Sequence, residues 1–540
     1  MAGLATVFGS GAMTNSIPEI ENANAILAIG SNTLEAHPLI GARVMAAKEK
    51  GAKLIVVDPR RTALADFADI HLQHKPGTDV ALLNGMMNII LAKGLEDKKF
   101  IAERTEGFEE LKKNVANYTP EKVSEITGVD KADLEKAAQM YAEADKASLL
   151  YCMGITQHTT GVDNVKSVAN LAMLTGNIGR ESTGVNPLRG QANVQGACDM
   201  GALPNVFSGY QSVTDDAIRA KFEKAWGVTL PAQPGLKVTE MTEVAEKGKI
   251  KALYVMGENP MLSDPDIKHV KKALEAVEFL VVQDIFMTET AELADVVLPA
   301  CSFAEKEGTY SATDRRVQMG RKAMEPLADC KPDWIIISEL ARKMGGKGFD
   351  YKSPKDIMEE VRTLTPSYAG ITYERLDNGE VLNWPCPTTD HPGTKILHKD
   401  SFARGKGLFT AIEYKAPAEV PDKDYPLVLT TGRMMFQYHT GTMTRRIPAL
   451  AQESPTGYVE LNPEDAKKIG VAQGDRVKVK SRRGEIGTNA YITDSIPQGV
   501  VFMPFHFAEG AANELTSSHL DPEAKIPEYK VCAVKVSKGG

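Results

Sequence analysis

Asn24–Asn32 (NAILAIGSN), a helical period over Pro38–Lys50 and then Lys53–Arg60 (KLIVVDPR) form the stretch on which the fold turns. A short apolar run, a glycine turn, a helix and a second apolar run spell a βαβ unit with parallel strands. Further along, Ser148–Met153 reads as a strand and Gly161–Leu174 as a helix, so the whole region reads as doubly wound α/β. The same logic returns downstream. Lys251–Met256 (KALYVM) runs into Gly257-Glu258-Asn259-Pro260, a helix is expected over Asp266–Ala276, a strand over Glu278–Gln283, and Asp284 ends it. Two copies of one unit suggest two similar ligand moieties at the carboxyl ends of two sets of strands, although two βαβ units are unremarkable in any α/β protein.

Between Lys331 and Leu408 the pattern loosens into mixed Pro, Gly and charge. From Tyr425 it becomes β, with short strands at Pro426–Thr430, Gly457–Leu461, Asp475–Lys480, Gly484–Ile492 and Gly499–Met503. One helix interrupts them, with Asn462 as N-cap, Pro463 at its first position, and Glu464 and Asp465 in its first turn. This predicts a separate barrel-like C-terminal domain.

A chain of 540 residues should form several domains. Its net charge of -8 argues against a nucleic-acid surface. No run approaches the ~18 apolar residues of a membrane span, and the start, Met1-Ala2-Gly3-Leu4, has no signal-peptide pattern. The six cysteines, none at CxxC spacing, write neither a zinc ribbon nor a cluster motif and fit a reducing, cytoplasmic setting.

Arg189-Gly190-Gln191 lies in a glycine- and amide-rich stretch, Asn186–Pro204, of the kind that wraps backbone around a ligand. The planar fork of Arg189 suits a small carboxylate; a structural arginine on a partner carboxylate is the competing reading. Gly30-Ser31-Asn32 and Asp58-Pro59-Arg60 stand where a βαβ unit puts its ligand, or are plain structural turns. The absence of G-x-G-x-x-G disfavours a nicotinamide fingerprint. His37, His71, His74, His158, His439 and His506 show no paired metal-ligand spacing, so no protein metal ligand is expected. Cys198-Asp199 is a weak nucleophile candidate, and no Ser/His/Asp order or Walker loop is present.

The segments GSNTLEAHP, VVDPR, GVNPLRGQANVQGACDMGALP, MGENP, TGRMMFQYHTGTMTRR and LNPEDAKKIGVAQGDRVKVKSRRG resemble those of molybdopterin oxidoreductases, and most of all formate dehydrogenase catalytic subunits. The resemblance implies two related α/β dinucleotide-binding domains (residues 1–191 and, partial, 192–305). An irregular connecting region (306–420) and a double-psi-type β-barrel domain (421–540) would follow. It implies molybdenum or tungsten held by two molybdopterin guanine dinucleotides. Gly30, Asn32, His37, Asp58, Arg60, Gly77, Asp79, Gly154 and Gln157 would face one dinucleotide. Gly257, Glu258, Gln283 and Asp284 would face the other. The C-terminal domain would add Thr431, Arg433, Gln437, His439 and Thr442, together with Asn513, Tyr529 and Lys530. Arg189 matches the arginine that orients formate, and Gln191 lies beside the pterins. A [4Fe-4S] cluster and a metal-ligating selenocysteine or cysteine followed by histidine belong to the family's front segment. They are absent here, so the chain is expected to be a truncated piece, inactive alone. Its expected partners are formate or CO2 and electron-transfer subunits with iron–sulfur clusters or flavin. The alternatives are a non-catalytic dinucleotide-binding module and another molybdopterin oxidoreductase.

Overall fold

The computed structural model describes residues 1–539, and the chain divides into two units. Unit one comprises Met1–Leu188, Leu262–Lys268 and Ile396–Gly540; unit two comprises Arg189–Met261 and His269–Lys395.

In unit one, β1 (Ala25–Ile29), β2 (Lys53–Val57), β3 (Ile70–Leu72), β4 (Ala147–Tyr151) and β5 (Val185–Pro187) form one parallel sheet in the order β3-β2-β1-β4-β5. Strand β1 is apolar at every position because its two faces enter different cores. Ala25, Leu27 and Ile29 meet the helices Asp79–Ala92, Lys131–Ala142 and Gly161–Leu174 on one side. Ile26 and Ala28 meet Ile17–Asn22 and Pro38–Glu49 on the other. The strand order reverses between β1 and β4, which is where a doubly wound sheet opens a crevice.

The rest of unit one is dominated by a closed barrel. Its strands are β9 (Leu427–Gly432), β10 (Tyr458–Leu461), β11 (Arg476–Lys480), β12 (Glu485–Ile492), β13 (Val500–Pro504) and β14 (Cys532–Lys538), in the order β9-β13-β10-β12-β11-β14. The expected helix is Pro463–Ile469, and the Asn462 side chain accepts from Glu464 N at 3.1 Å. Strand β14 was not expected. It closes the barrel by pairing antiparallel with both β9 and β11.

Unit two holds β6 (Ala252–Met256), β7 (Phe279–Asp284) and β8 (Val296–Pro299), parallel in the order β8-β7-β6. The helix Ile267–Ala276 sends Val270, Ala273 and Leu274 into the core beneath them. The duplication runs one element further than the βαβ pattern indicated. Each copy continues through a short 3-10 turn (Ala65–Phe67, Ala291–Leu293) into a third strand. Asp69 accepts from Leu54 N at 2.8 Å and returns its own N–H to Leu54 O at 2.8 Å. Asp295 does the same to Leu280, at 2.7 and 2.9 Å.

Residues 306–420, expected to be irregular, hold a hairpin (Gly308–Ser311 with Arg316–Gly320) and the helices Asp333–Lys343 and Pro354–Leu364. The prolines that obscured the pattern mark helix starts: Ser353 Oγ accepts from Asp356 N, with Pro354 at the first position. The stretch Asn186–Pro204 likewise contains a helix, Val194–Asp199.

Candidate functional site

Unit one gathers its polar residues at the carboxyl edge of its sheet. Gly30 follows β1 with φ +57°, and an added Cβ would stand 2.7 Å from the Gly154 carbonyl carbon. Gly154, in the turn Met153–Thr156 after β4, donates its N–H to Gly30 O at 3.0 Å. The two turns therefore touch backbone to backbone, and both positions require glycine. Gln157 ends the same turn. Asn32 opens the turn Thr33–Ala36, and its Oδ1 is buried without a hydrogen-bond partner among the described residues. His37 closes that turn and precedes Pro38 at the start of the long helix.

After β2, Asp58 accepts from Arg60 N at 2.9 Å, and burial raises its carboxyl above the ordinary range. Arg60 reaches into the barrel. Its Nε and Nη2 hold Glu460 at 3.0 and 2.7 Å, and the guanidinium lies 3.6 Å from the centre of the Phe502 ring. Much of Arg60 is thus committed to joining sheet and barrel. Gly77, with φ +79°, admits Pro417 where a Cβ would clash at 2.5 Å. Asp79 is buried against His74 at 3.1 Å, and its Oδ2 has no hydrogen-bond partner among the described residues.

The barrel contributes a basic rim. Arg433 donates to Gln437 O at 2.9 Å and Ala36 O at 3.2 Å. Lys530 donates to Thr431 O at 2.6 Å, and Thr431 Oγ1 donates to Tyr529 O at 2.9 Å. Neither cation forms an ion pair with a carboxylate among the described residues, and burial lowers the Lys530 ammonium to about 8. Thr442 shares a hydrogen bond with Thr440 at 2.9 Å. His439 takes φ +48°, and burial lowers its imidazole. His506 bonds through Nδ1 to His439 O and accepts from Met434 N at 3.0 Å through Nε2. This fixes a neutral ring, lowered by burial to about 4.

Three expected residues spend their side chains on structure. Gln437 accepts from Thr444 Oγ1 at 2.7 Å and donates to Ser454 O at 3.2 Å. Asn513 donates to Leu262 O and Ser263 O at 2.9 and 3.1 Å, and Tyr529 Oη also donates to Ser263 O, at 2.9 Å.

This donor set suits a ligand carrying phosphates and ring amides. Arg433 and Lys530 offer positive charge with no ion-paired carboxylate among the described residues, Asn32 and Asp79 offer buried acceptors short of donors, and Asp58 adds a carboxylate beside them.

In unit two, Gly257 and Asp284 stand at the carboxyl ends of β6 and β7, with Met256 in register with Gln283. Gly257 takes φ +62° and donates to Gln283 O at 2.8 Å; Glu258 beside it is exposed. The Gln283 amide is engaged at both ends, by Tyr254 Oη and by Asp333 Oδ1 at 2.7 Å. Asp284 accepts from Ile285 N at 2.6 Å.

Arg189 is half-buried, and its backbone N–H donates to Thr313 Oγ1 at 3.2 Å. Its Nε donates to Gln195 Oε1 at 2.7 Å. Gln191, two residues on, is exposed. Of the residues around Arg189, Gln195, Tyr210, Tyr368 and Trp384 carry no signal in the sequence reading, the last two lying in the stretch expected to be irregular, and Asp199 is noted there only beside Cys198. Cys198 lies beside this group, but burial raises its thiol, which disfavours a nucleophile. Among the described residues no group of three or more His, Cys, Asp or Glu could hold a metal ion. Nor is any helix among the described residues long and apolar enough to cross a membrane.

Residues 3–343 match the family model "Molybdopterin oxidoreductase", and residues 427–533 match "Molydopterin dinucleotide binding domain". The chain is 58% identical to the F420-dependent formate dehydrogenase subunit alpha of Methanocaldococcus jannaschii, over all of this chain and 80% of that one. It is 45% identical to formate dehydrogenase H of Escherichia coli, over 99% of this chain and 76% of that one. Among solved structures, acetylene hydratase from Pelobacter acetylenicus superposes with a TM-score of 0.79 at 22% identity, covering all of this chain and 80% of that one. At that identity the likeness is one of fold.

Proposed function

The chain belongs to the molybdopterin oxidoreductase family, and on that premise we propose that it is part of the catalytic subunit of a formate dehydrogenase, which interconverts formate and CO2. The observation that carries the reading is Arg189, a guanidinium held by Gln195 at 2.7 Å in a segment that resembles the one carrying the formate-orienting arginine of this family. A planar guanidinium is the side chain that can take both oxygens of a carboxylate in parallel hydrogen bonds. That grip fixes where the formate C–H points, and orientation of this kind lowers a barrier by several kcal/mol or about that.

Two molybdopterin guanine dinucleotides, when bound, would hold a molybdenum or tungsten centre that takes up the two electrons of the C–H bond. Asn32, Asp58 and Asp79 would receive ring and amide donors, and Arg433 and Lys530 the phosphates, of one dinucleotide. Gly257, Glu258 and Asp284 would serve the other. What supports a second binding edge is the duplicated β-α-β-turn-β unit. The electrons would leave through an iron–sulfur cluster to partner subunits carrying such clusters or flavin. The six scattered cysteines, none at CxxC spacing, support a reducing, cytoplasmic setting.

The test is formate-dependent dye reduction by the holoenzyme and its Arg189→Lys variant. An ammonium cannot reproduce the fork, so kcat/KM for formate should fall at least about tenfold. Near-normal turnover by the variant would overturn the assignment.

A further inference from the structure

Resting on that reading of Arg189, we propose that Gln195 and Asp199 are positioning residues that set the direction of its guanidinium. The chain of contacts lies wholly within unit two. Arg189 Nε donates to Gln195 Oε1 at 2.7 Å, and Gln195 Nε2 donates to Asp199 Oδ1 at 2.7 Å. Tyr210 Oη also donates to Oδ1 at 2.7 Å, and it lies 2.8 Å from Gln195 Nε2. On Oδ2, Trp384 Nε1 donates at 2.7 Å and Tyr368 Oη donates as well. Gln195 and Asp199 are 1% and 0% exposed.

The direction follows from which groups can only accept. A carboxamide fits its space almost equally well in either flip, so its neighbours decide which end faces where. An ionised carboxylate accepts and cannot donate, so Gln195 turns its nitrogen toward Asp199 and therefore its oxygen toward Arg189. The opposite flip would set N–H against N–H at the guanidinium and oxygen against oxygen at the carboxylate. Among the described residues, Asp199 has no cation in ion-pair contact. Burial raises its carboxyl, and the four hydrogen bonds oppose that rise. The indole of Trp384 and the Gln195 amide nitrogen are donors only, which favours the accepting, ionised form. A buried polar network of this kind is a costly way to stabilise a fold, since apolar side chains of similar volume do as well. It is a good way to fix one guanidinium in one direction.

The experiment compares Gln195→Leu and the near-isosteric Asp199→Asn with wild type and Arg189→Lys as holoenzymes. Cofactor content is matched first. The readouts are KM and kcat for formate, and the rate at which phenylglyoxal modifies Arg189, followed by peptide mass spectrometry. Losing one charge-assisted bond should raise KM about 10–100-fold in Gln195→Leu, with a smaller fall in kcat. Asp199→Asn should shift KM in the same direction, and Arg189 should be modified faster in both. Wild-type KM and modification rate in fully loaded Gln195→Leu and Asp199→Asn would overturn the inference. If Arg189→Lys itself keeps wild-type KM, the substrate reading of Arg189 fails instead. Faster modification in Gln195→Leu would in that case still support the positioning.

Discussion

Lys530 and Arg189 show what a single residue type announces and what it conceals. Each is implicated by the resemblance to the family, and each sits beside acceptors that carry no local signature. Arg189 leans on Gln195 six positions away, and Arg60 pairs with Glu460 four hundred positions away. No periodicity links such partners; only the fold brings them together. The lowered pKa of Lys530 makes a pH-dependent prediction. A lysine at about 8 when folded and near 10.4 when unfolded binds fewer protons in the folded state between those values. Cofactor-free protein should therefore gain stability as pH rises from about 8 towards 10. Affinity for an anion such as pyrophosphate should fall over the same rise, as the ammonium is lost. Lys530→Met should flatten both profiles, measured by thermal unfolding and calorimetry. A pyrophosphate affinity that ignores pH through 8 would show that Lys530 does not meet the phosphates.

At the scale of elements, β1, β2 and the helices around them were legible because a continuous apolar strand and a 3.6-residue period leave different marks. The barrel strands were also legible, apart from β14, whose run of small, charged and apolar residues has no single alternation. The third strand of each repeat was missed although its signal is present: ADFADIHL and AELADVVL align around Asp69 and Asp295. Each aspartate satisfies the first buried N–H of the neighbouring strand, at Leu54 and Leu280. Asp69→Ala and Asp295→Ala should therefore each cost about 1–3 kcal/mol, the penalty for an unsatisfied buried donor. Their effects should add in the double variant, because the two sites share no partner. Urea unfolding checks this, and an unchanged midpoint for either variant would remove the parallel.

For the molecule as a whole, composition and charge bounded the classes, and resemblance supplied the chemistry that spacing alone left open. The helices within residues 306–420 stayed hidden because Ser-Pro and Gly boundaries break the period that would reveal them. That stretch matters, since it supplies Tyr368 and Trp384 to the Asp199 network behind Arg189. The most direct measurement supplies carbon-13 formate to the purified holoenzyme and counts labelled CO2 against electrons delivered to a dye. One labelled CO2 for every two electrons is the expected result. Dye reduction without labelled CO2, or no response to formate from fully loaded enzyme, would contradict it.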